Sequence, residues 1–154
     1  MKLQFETNTR ALSIAILLIR IMAGLILFVG GAGKVMGWFG GFGMATTLEI
    51  FKNNMHLSAF WIYISCFTEW ICGLLIIAGL FTRVAATALF INMLVATLFV
   101  GFKNFFLGGA AYPCLLMVIF LALIFSGAMD YSIDTLLAKR RKLTTGNLKV
   151  SAAF

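Results

Sequence analysis

Hydrophobic residues fall along this chain in four long runs, separated by short polar or glycine-rich stretches. The first lies between Ala11 and Val29 and continues to Met36, interrupted by Arg20 and carrying Lys34 near its end. The second runs from Ala59 to Phe81 around a single carboxylate, Glu69. The third, Val84 to Gly101, has no charge but holds Asn92 and Thr97, and the fourth is "YPCLLMVIFLALIFSGAM", Tyr112 to Met129. An apolar run of about 18 residues or more is long enough to cross the hydrocarbon of a bilayer as a helix. Lipid cannot satisfy the open edge of a strand, so such runs are helical. The pattern predicts an all-α membrane protein, an antiparallel bundle of four transmembrane helices at about 11–36, 59–81, 83–101 and 112–129.

The connections differ in kind. Gly37, Gly40, Gly41 and Gly43 argue for a bend after the first run. Beyond it, "TTLEIFKNNM" spaces Leu48, Phe51 and Met55 at near-helical intervals, with Glu49, Lys52 and Asn53 on other faces. That predicts an external loop bearing a short amphipathic helix, either lying on the bilayer or folded as a flap over the mouth of the bundle. "GLFTR" is a tight turn in which Gly79 ends one helix and Thr82 caps the next, so the helices it joins are antiparallel neighbours. "GFKNFFLGGAAYP" precedes the last helix, with Pro113 in its first turn. Nothing divides the chain before a basic tail, giving one domain over 1–136 and a tail over 137–154.

Composition agrees with a membrane class: 62% of residues are hydrophobic and 11% charged, against about 25% charged in soluble domains. Mean hydropathy is +1.06. A net charge of +7 raises the question of nucleic acid, but the cations sit at the ends of apolar runs and in the tail, where topology and anionic lipid account for them. Nucleic-acid binding is therefore excluded as a reading. Placing the N-terminus inside puts Lys2, Arg10, Arg83, Lys139, Arg140, Arg141, Lys142 and Lys149 on the cytoplasmic side and leaves Lys52 and Lys103 outside. The expectation is a multi-pass protein of the inner (cytoplasmic) membrane with both termini cytoplasmic. The first run is too long for a signal-peptide core and lacks a small-x-small cleavage site, so it reads as a retained helix.

Other motifs carry less. Cys66, Cys72 and Cys114 form no C-x-x-C pair and read as small packing residues, with a Cys66–Cys114 bridge as the alternative. His56 is the sole histidine, so no metal site is expected. "GGAGKV" fails the phosphate-loop pattern at Phe28 and Val35.

The polar residues inside the runs are the candidates for function. At about 1.5 Å per residue, Arg20 and Lys34 are roughly 21 Å apart along the first helix, and Glu69 falls between their depths. Thr97 falls near the depth of Glu69, with Asn92 about one and a half turns further in. Ser13, Arg20, Gly24, Leu27, Gly31 and Lys34 share one helical stripe, and Ser65, Glu69, Cys72 and Gly73 make a second. Small residues allow helices to approach closely in lipid, so Gly24, Gly31 and Gly73 are expected helix-packing positions. Glu69 then faces Arg20 or Lys34. The candidate intramembrane site is Arg20, Lys34, Glu69, Arg83, Asn92 and Thr97. Such charges either fix helix register or handle protons and polar head groups.

Three segments in order, "RIMAGLILFVGGAGK", "EWICGLLIIAGLFTRVAA" and "YPCLLMVIFLALIFSGAMDYSID", make the chain resemble the DoxX family over roughly Ala11 to Leu136. These are small four-helix membrane proteins named with DoxD-type subunits linked to thiosulfate:quinone oxidoreduction. Glu69, Gly73, Gly79 and Arg83 are the most specific part of the resemblance. Many relatives carry histidines where Gly30 and Val100 stand here, so no histidine-dependent role is carried over. The resemblance implies a membrane subunit of a quinone-linked or other redox-associated complex, with Arg20 and Glu69 as the polar core of a quinone or proton site and Lys34 and Arg83 at its ends. Chemistry would then rest on a quinone or a partner's cofactor. The expected partners are the lipid bilayer and protein subunits of a larger complex or further copies of the chain. The alternative is a non-catalytic scaffold or assembly subunit whose buried charges only fix helix packing. A solute carrier is the third reading, and four helices without an inverted repeat make one only as an oligomer.

Overall fold

The computed structural model describes residues 2–55, 58–100 and 109–140. The expectations for His56, for the connection holding Lys103 and for Arg141, Lys142 and Lys149 of the tail fall outside the described residues. Within them the chain is helical and without strands. The order is α1 (Lys2–Met36), a 3-10 turn (Trp38–Gly40), α2 (Gly43–Met55), α3 (Ala59–Ala78), α4 (Thr82–Val100), α5 (Ala111–Ser126) and α6 (133–140).

The ends of these helices follow local chemistry. Helix α1 starts well ahead of Ala11 because "LQFETNTR" holds no glycine or proline to stop it. Helix α3 stops at Ala78, short of Phe81, because Gly79 takes a left-handed φ of 68° and donates its N–H back to Ile76. Helix α5 stops at Ser126, before Met129, because Gly127 turns the chain at φ 67°. Among the described residues, three stretches are long and apolar enough to cross a membrane: Thr9–Met36, Ala59–Ala78 and Thr82–Phe99. The fourth, α5, is as apolar but has 16 residues, a rise of about 24 Å.

Helix α1 packs on α3, α3 on α4 and α4 on α5, while α5 returns to α1 over a smaller contact. Gly24 lies against Ile77 and Gly73, Gly31 against Trp70, and Lys34 against Glu69, so α1 and α3 run antiparallel. Arg83 at the start of α4 bonds to the Phe125 carbonyl near the end of α5, which sets that pair antiparallel too. Leu27, Ile76, Leu89, Phe120 and Leu123 are fully buried between the helices. Leu18, Val84, Leu98, Leu115 and Phe125 point outward, as side chains in contact with lipid tails do.

The α1–α3 contact depends on missing side chains. A Cβ at Gly31 would lie 2.5 Å from the Trp70 backbone nitrogen, whereas one at the adjacent Gly30 would meet nothing within 4 Å among the described residues. Gly31→Ala is therefore expected to lower stability by about 1–3 kcal/mol, the usual cost of overpacking. Gly30→Ala is expected to be neutral, or stabilising by up to about 1 kcal/mol through helix propensity. Thermal unfolding of the two variants in lipid nanodiscs checks both, and a shared direction of shift would contradict the close-packed α1–α3 seam.

Helix α2 docks on α1 and α3. The buried Thr47 hydroxyl donates to Gly43 and lies 3.4 Å from the Lys34 carbonyl, and the Phe51 ring centre is 6.0 Å from Lys34 Nζ. Glu49, Ile50, Lys52 and Asn53 face away.

Candidate functional site

Two polar clusters occupy opposite ends of the α1–α3 seam. The first is built on Glu69, ten residues into α3 and so about 15 Å along its axis, close to the middle of the helix. Glu69 is 6% exposed. Its Oε2 accepts from Lys34 Nζ at 2.5 Å, and its Oε1 accepts from Asn92 Nδ2 at 3.4 Å. Three helices thus contribute one side chain each. Gly31 and Gly73 hold the α1 and α3 backbones close enough for the last turn of α1 to present Lys34 to Glu69. The cation also sits at the helix end whose free carbonyls favour positive charge. The pair is unequal in exposure: the Lys34 side chain is 33% exposed and that of Glu69 8%.

Asn92 belongs to a second feature as well. Between α3 and α4, beneath Phe51 of α2, lies a cavity of about 550 Å³ whose wall includes Ser65, Cys66, Thr68 and Asn92. The amide therefore connects a buried carboxylate to a space large enough for a small organic ligand. Cys66, Cys72 and Cys114 are free thiols, so the Cys66–Cys114 bridge is absent.

Arg20 lies elsewhere. It is 1% exposed, and its two terminal nitrogens donate to the carbonyls of Ala128 at 2.8 Å and Tyr131 at 2.7 Å. The structure does not bring Arg20 and Glu69 together, which corrects the expected Arg20–Glu69 polar core. The reason is the early end of α5. The turn after Gly127 reaches the depth of Arg20 and exposes carbonyls without helical partners, and a planar guanidinium can fork to two of them. Around it, Ser13 Oγ donates to Asp130 Oδ2 at 2.9 Å. Asp134 accepts from the Phe81 and Thr82 backbone N–H groups at 3.1 and 3.4 Å and so caps α4. Thr82 does not cap its own helix; its hydroxyl is buried without a partner among the described residues.

Of the remaining candidates, Arg83 sits with this second cluster, its guanidinium 3.4 Å from the Phe125 carbonyl. Thr97 is buried, but its hydroxyl returns to the Met93 carbonyl of its own helix at 2.8 Å and takes no part in the Glu69 cluster. Asp130 and Asp134 join this cluster although neither lies inside an apolar run that would single it out. The signal for Asp134 was its place just after an apolar run, at "YSID", where a carboxylate has helix ends within reach.

The first cluster joins a buried carboxylate near the middle of α3 to a partly exposed amine on α1 and to an amide of α4 that also lines a cavity. The second ties the end of α5 and the start of α6 to α1, α3 and α4.

A protein of Bacillus subtilis (strain 168) named "Putative oxidoreductase CatD" is 29% identical over 133 residues, covering 86% of this chain and 94% of that protein. No solved structure matches. The family model described as DoxX matches residues 15–101, which hold Arg20, Lys34, Glu69 and Asn92. That stretch is more than half of the sequence, and the chain belongs to the DoxX family.

Proposed function

We propose that the protein is a small integral subunit of a quinone-linked redox complex of the inner membrane, with Lys34, Glu69 and Asn92 as its polar site. In this reading α1, α3, α4 and α5 all cross the bilayer and both termini are cytoplasmic. The short α5 crosses by local thinning of the bilayer at the end marked by Arg20. The observation that carries the reading is Glu69: a carboxylate near the middle of a spanning helix, shared between Lys34 and an amide on a cavity wall. Charged groups at that depth are costly and mark ion, proton or ligand pathways. The family, and the name of the Bacillus relative, favour redox chemistry over transport.

The division of labour follows from the geometry. Glu69 exchanges a proton with the bound head group, Lys34 holds the carboxylate while it is charged and reaches the surface with its amine, and Asn92 positions the ligand. A quinone held here would supply the redox chemistry, with a partner's cofactor as the source of electrons. Arg20 serves the fold, and its cluster is what a purely architectural use of buried charge looks like in this protein.

Gentle extraction from native membranes, followed by mass spectrometry of copurifying proteins and lipids, tests this reading. The expected result is a redox enzyme and a quinone at near-stoichiometric levels. A stable complex holding neither would assign the protein to assembly or scaffolding.

A further inference from the structure

The cavity between α3 and α4 exists because α4 presents Ala88 and Ala96 where α3 presents Ser65 and Cys66, leaving about 550 Å³ that these side chains do not fill. Its rim is made of Trp61, Ile64, Ile91, Val95 and Phe99, all exposed and all within stretches long and apolar enough to span a membrane. The mouth therefore faces lipid tails, and an occupant must arrive through the bilayer.

The wall is not uniformly apolar. A helical Thr hydroxyl commonly returns to a carbonyl one turn back, as Thr87 does to Arg83 and Thr97 to Met93. The hydroxyls of Ser65 and Thr68 make no hydrogen bond among the described residues. Asn92 gives one amide hydrogen to Glu69 and keeps a second donor and its carbonyl. Polar groups left unpaired in hydrocarbon are costly, and a saturated acyl chain, although it suits the apolar part of the lining, would leave these hydroxyls and the amide without a partner. A flat ring edged with carbonyl acceptors suits the wall better, its acceptors meeting the hydroxyls and the amide and its faces meeting Trp61 and Phe99. By contrast, the groove of about 360 Å³ between α1 and α5, lined by Leu18, Met22, Ile26, Leu115 and Ile119 and with Tyr112 as its one polar-tipped residue, offers such a ring little to bond with.

We infer that the α3–α4 cavity is the binding site for the head group of a lipid-soluble quinone, which enters sideways from the membrane and sets one carbonyl against Asn92, beside Glu69. This rests on the quinone-linked reading above and adds the seat of the ring between α3 and α4, among Ser65, Thr68 and Asn92, and its route of entry.

The protein in phospholipid nanodiscs is photolabelled with an azido-benzoquinone carrying a decyl tail, and the adducts are mapped by mass spectrometry. Adducts are expected within 61–68 and 88–99, reduced about tenfold by the unlabelled decyl-benzoquinone at ten times its Kd. Ala96→Phe, which fills the cavity, and Asn92→Leu are expected to abolish them. If Ala96→Phe does not accumulate, Ile91→Trp at the exposed rim narrows the mouth without touching the core. Competable adducts on Leu18–Ile26 and on residues 112–119 would overturn the placement while leaving the quinone reading intact. A photoreactive fatty acid that labels 61–68 and 88–99 and is not displaced by quinone would assign the cavity to a lipid tail. If no competable adduct forms, the placement falls, and the quinone content of the natively extracted complex then decides whether the quinone reading falls with it.

Discussion

Lys34→Met is expected to destabilise the protein by about 3–5 kcal/mol, the cost of leaving one member of a buried ion pair behind. Glu69→Leu is expected to cost far less, about 1 kcal/mol, the scale of a lost hydrogen bond. The asymmetry comes from exposure. Without Lys34, the Glu69 carboxylate, 8% exposed and near the middle of its helix, keeps among the described residues only the 3.4 Å contact to Asn92. Without Glu69, the lysine, already 33% exposed at the end of α1, extends its amine to the surface along its own apolar stem. Combining the two substitutions is expected to recover most of the loss, because an apolar pair of similar volume suits this environment. Unfolding of the two single variants and the double variant in nanodiscs measures the coupling. Equal losses in the two singles would show that the depth of Glu69 does not govern the pair.

Arg20→Met is the second large effect. It removes two charge-assisted hydrogen bonds, worth about 1.5 kcal/mol each, for an expected loss of about 3 kcal/mol. Arg20→Lys is expected to lose about half of that, because an ammonium cannot fork to both carbonyls in one plane. The location of the damage is as informative as its size. Hydrogen exchange is expected to rise over 127–140 and at the Phe81 and Thr82 amides held by Asp134, while the Glu69 end of the seam keeps its protection. Faster exchange around Lys34 and Glu69 alone would mean that Arg20 supports the first cluster after all.

What could be read from the residues depended on how local the relevant signal was. The apolar runs place α1, α3, α4 and α5 because run length and hydropathy are properties of single segments, and Gly79 marks the turn between α3 and α4 through its own backbone freedom. Glu69 stands out as an intramembrane carboxylate on the same grounds. Its partner does not. Arg20 and Lys34 share one stripe of α1 and were roughly equidistant from Glu69 in depth. What decides between them is where α5 ends, since the turn after Gly127 supplies the carbonyls that occupy Arg20. That contact joins residues more than a hundred positions apart, and periodicity has nothing to say about it. The cavity is equally non-local: Ala88 and Ala96 are ordinary helix formers until α3 sets Ser65 and Cys66 opposite them. Asn92 stands out as a polar residue in an apolar run, but its position on both the Glu69 cluster and the cavity wall is visible only in three dimensions.

The central claim is that the Glu69 carboxylate serves the reaction of a quinone-linked complex, beyond holding α1 to α3. Glu69→Gln tests it most directly, because it keeps the side-chain shape and a hydrogen-bond acceptor for Lys34 while removing the charge. Quinone-linked turnover is measured in native membranes in which the variant accumulates and assembles like the parent. A loss of at least about a hundredfold, the lower range of what a positioned acid–base group contributes, is the expected result. Unchanged turnover at equal abundance would contradict the account and leave the Lys34–Glu69 pair with a role in helix packing alone.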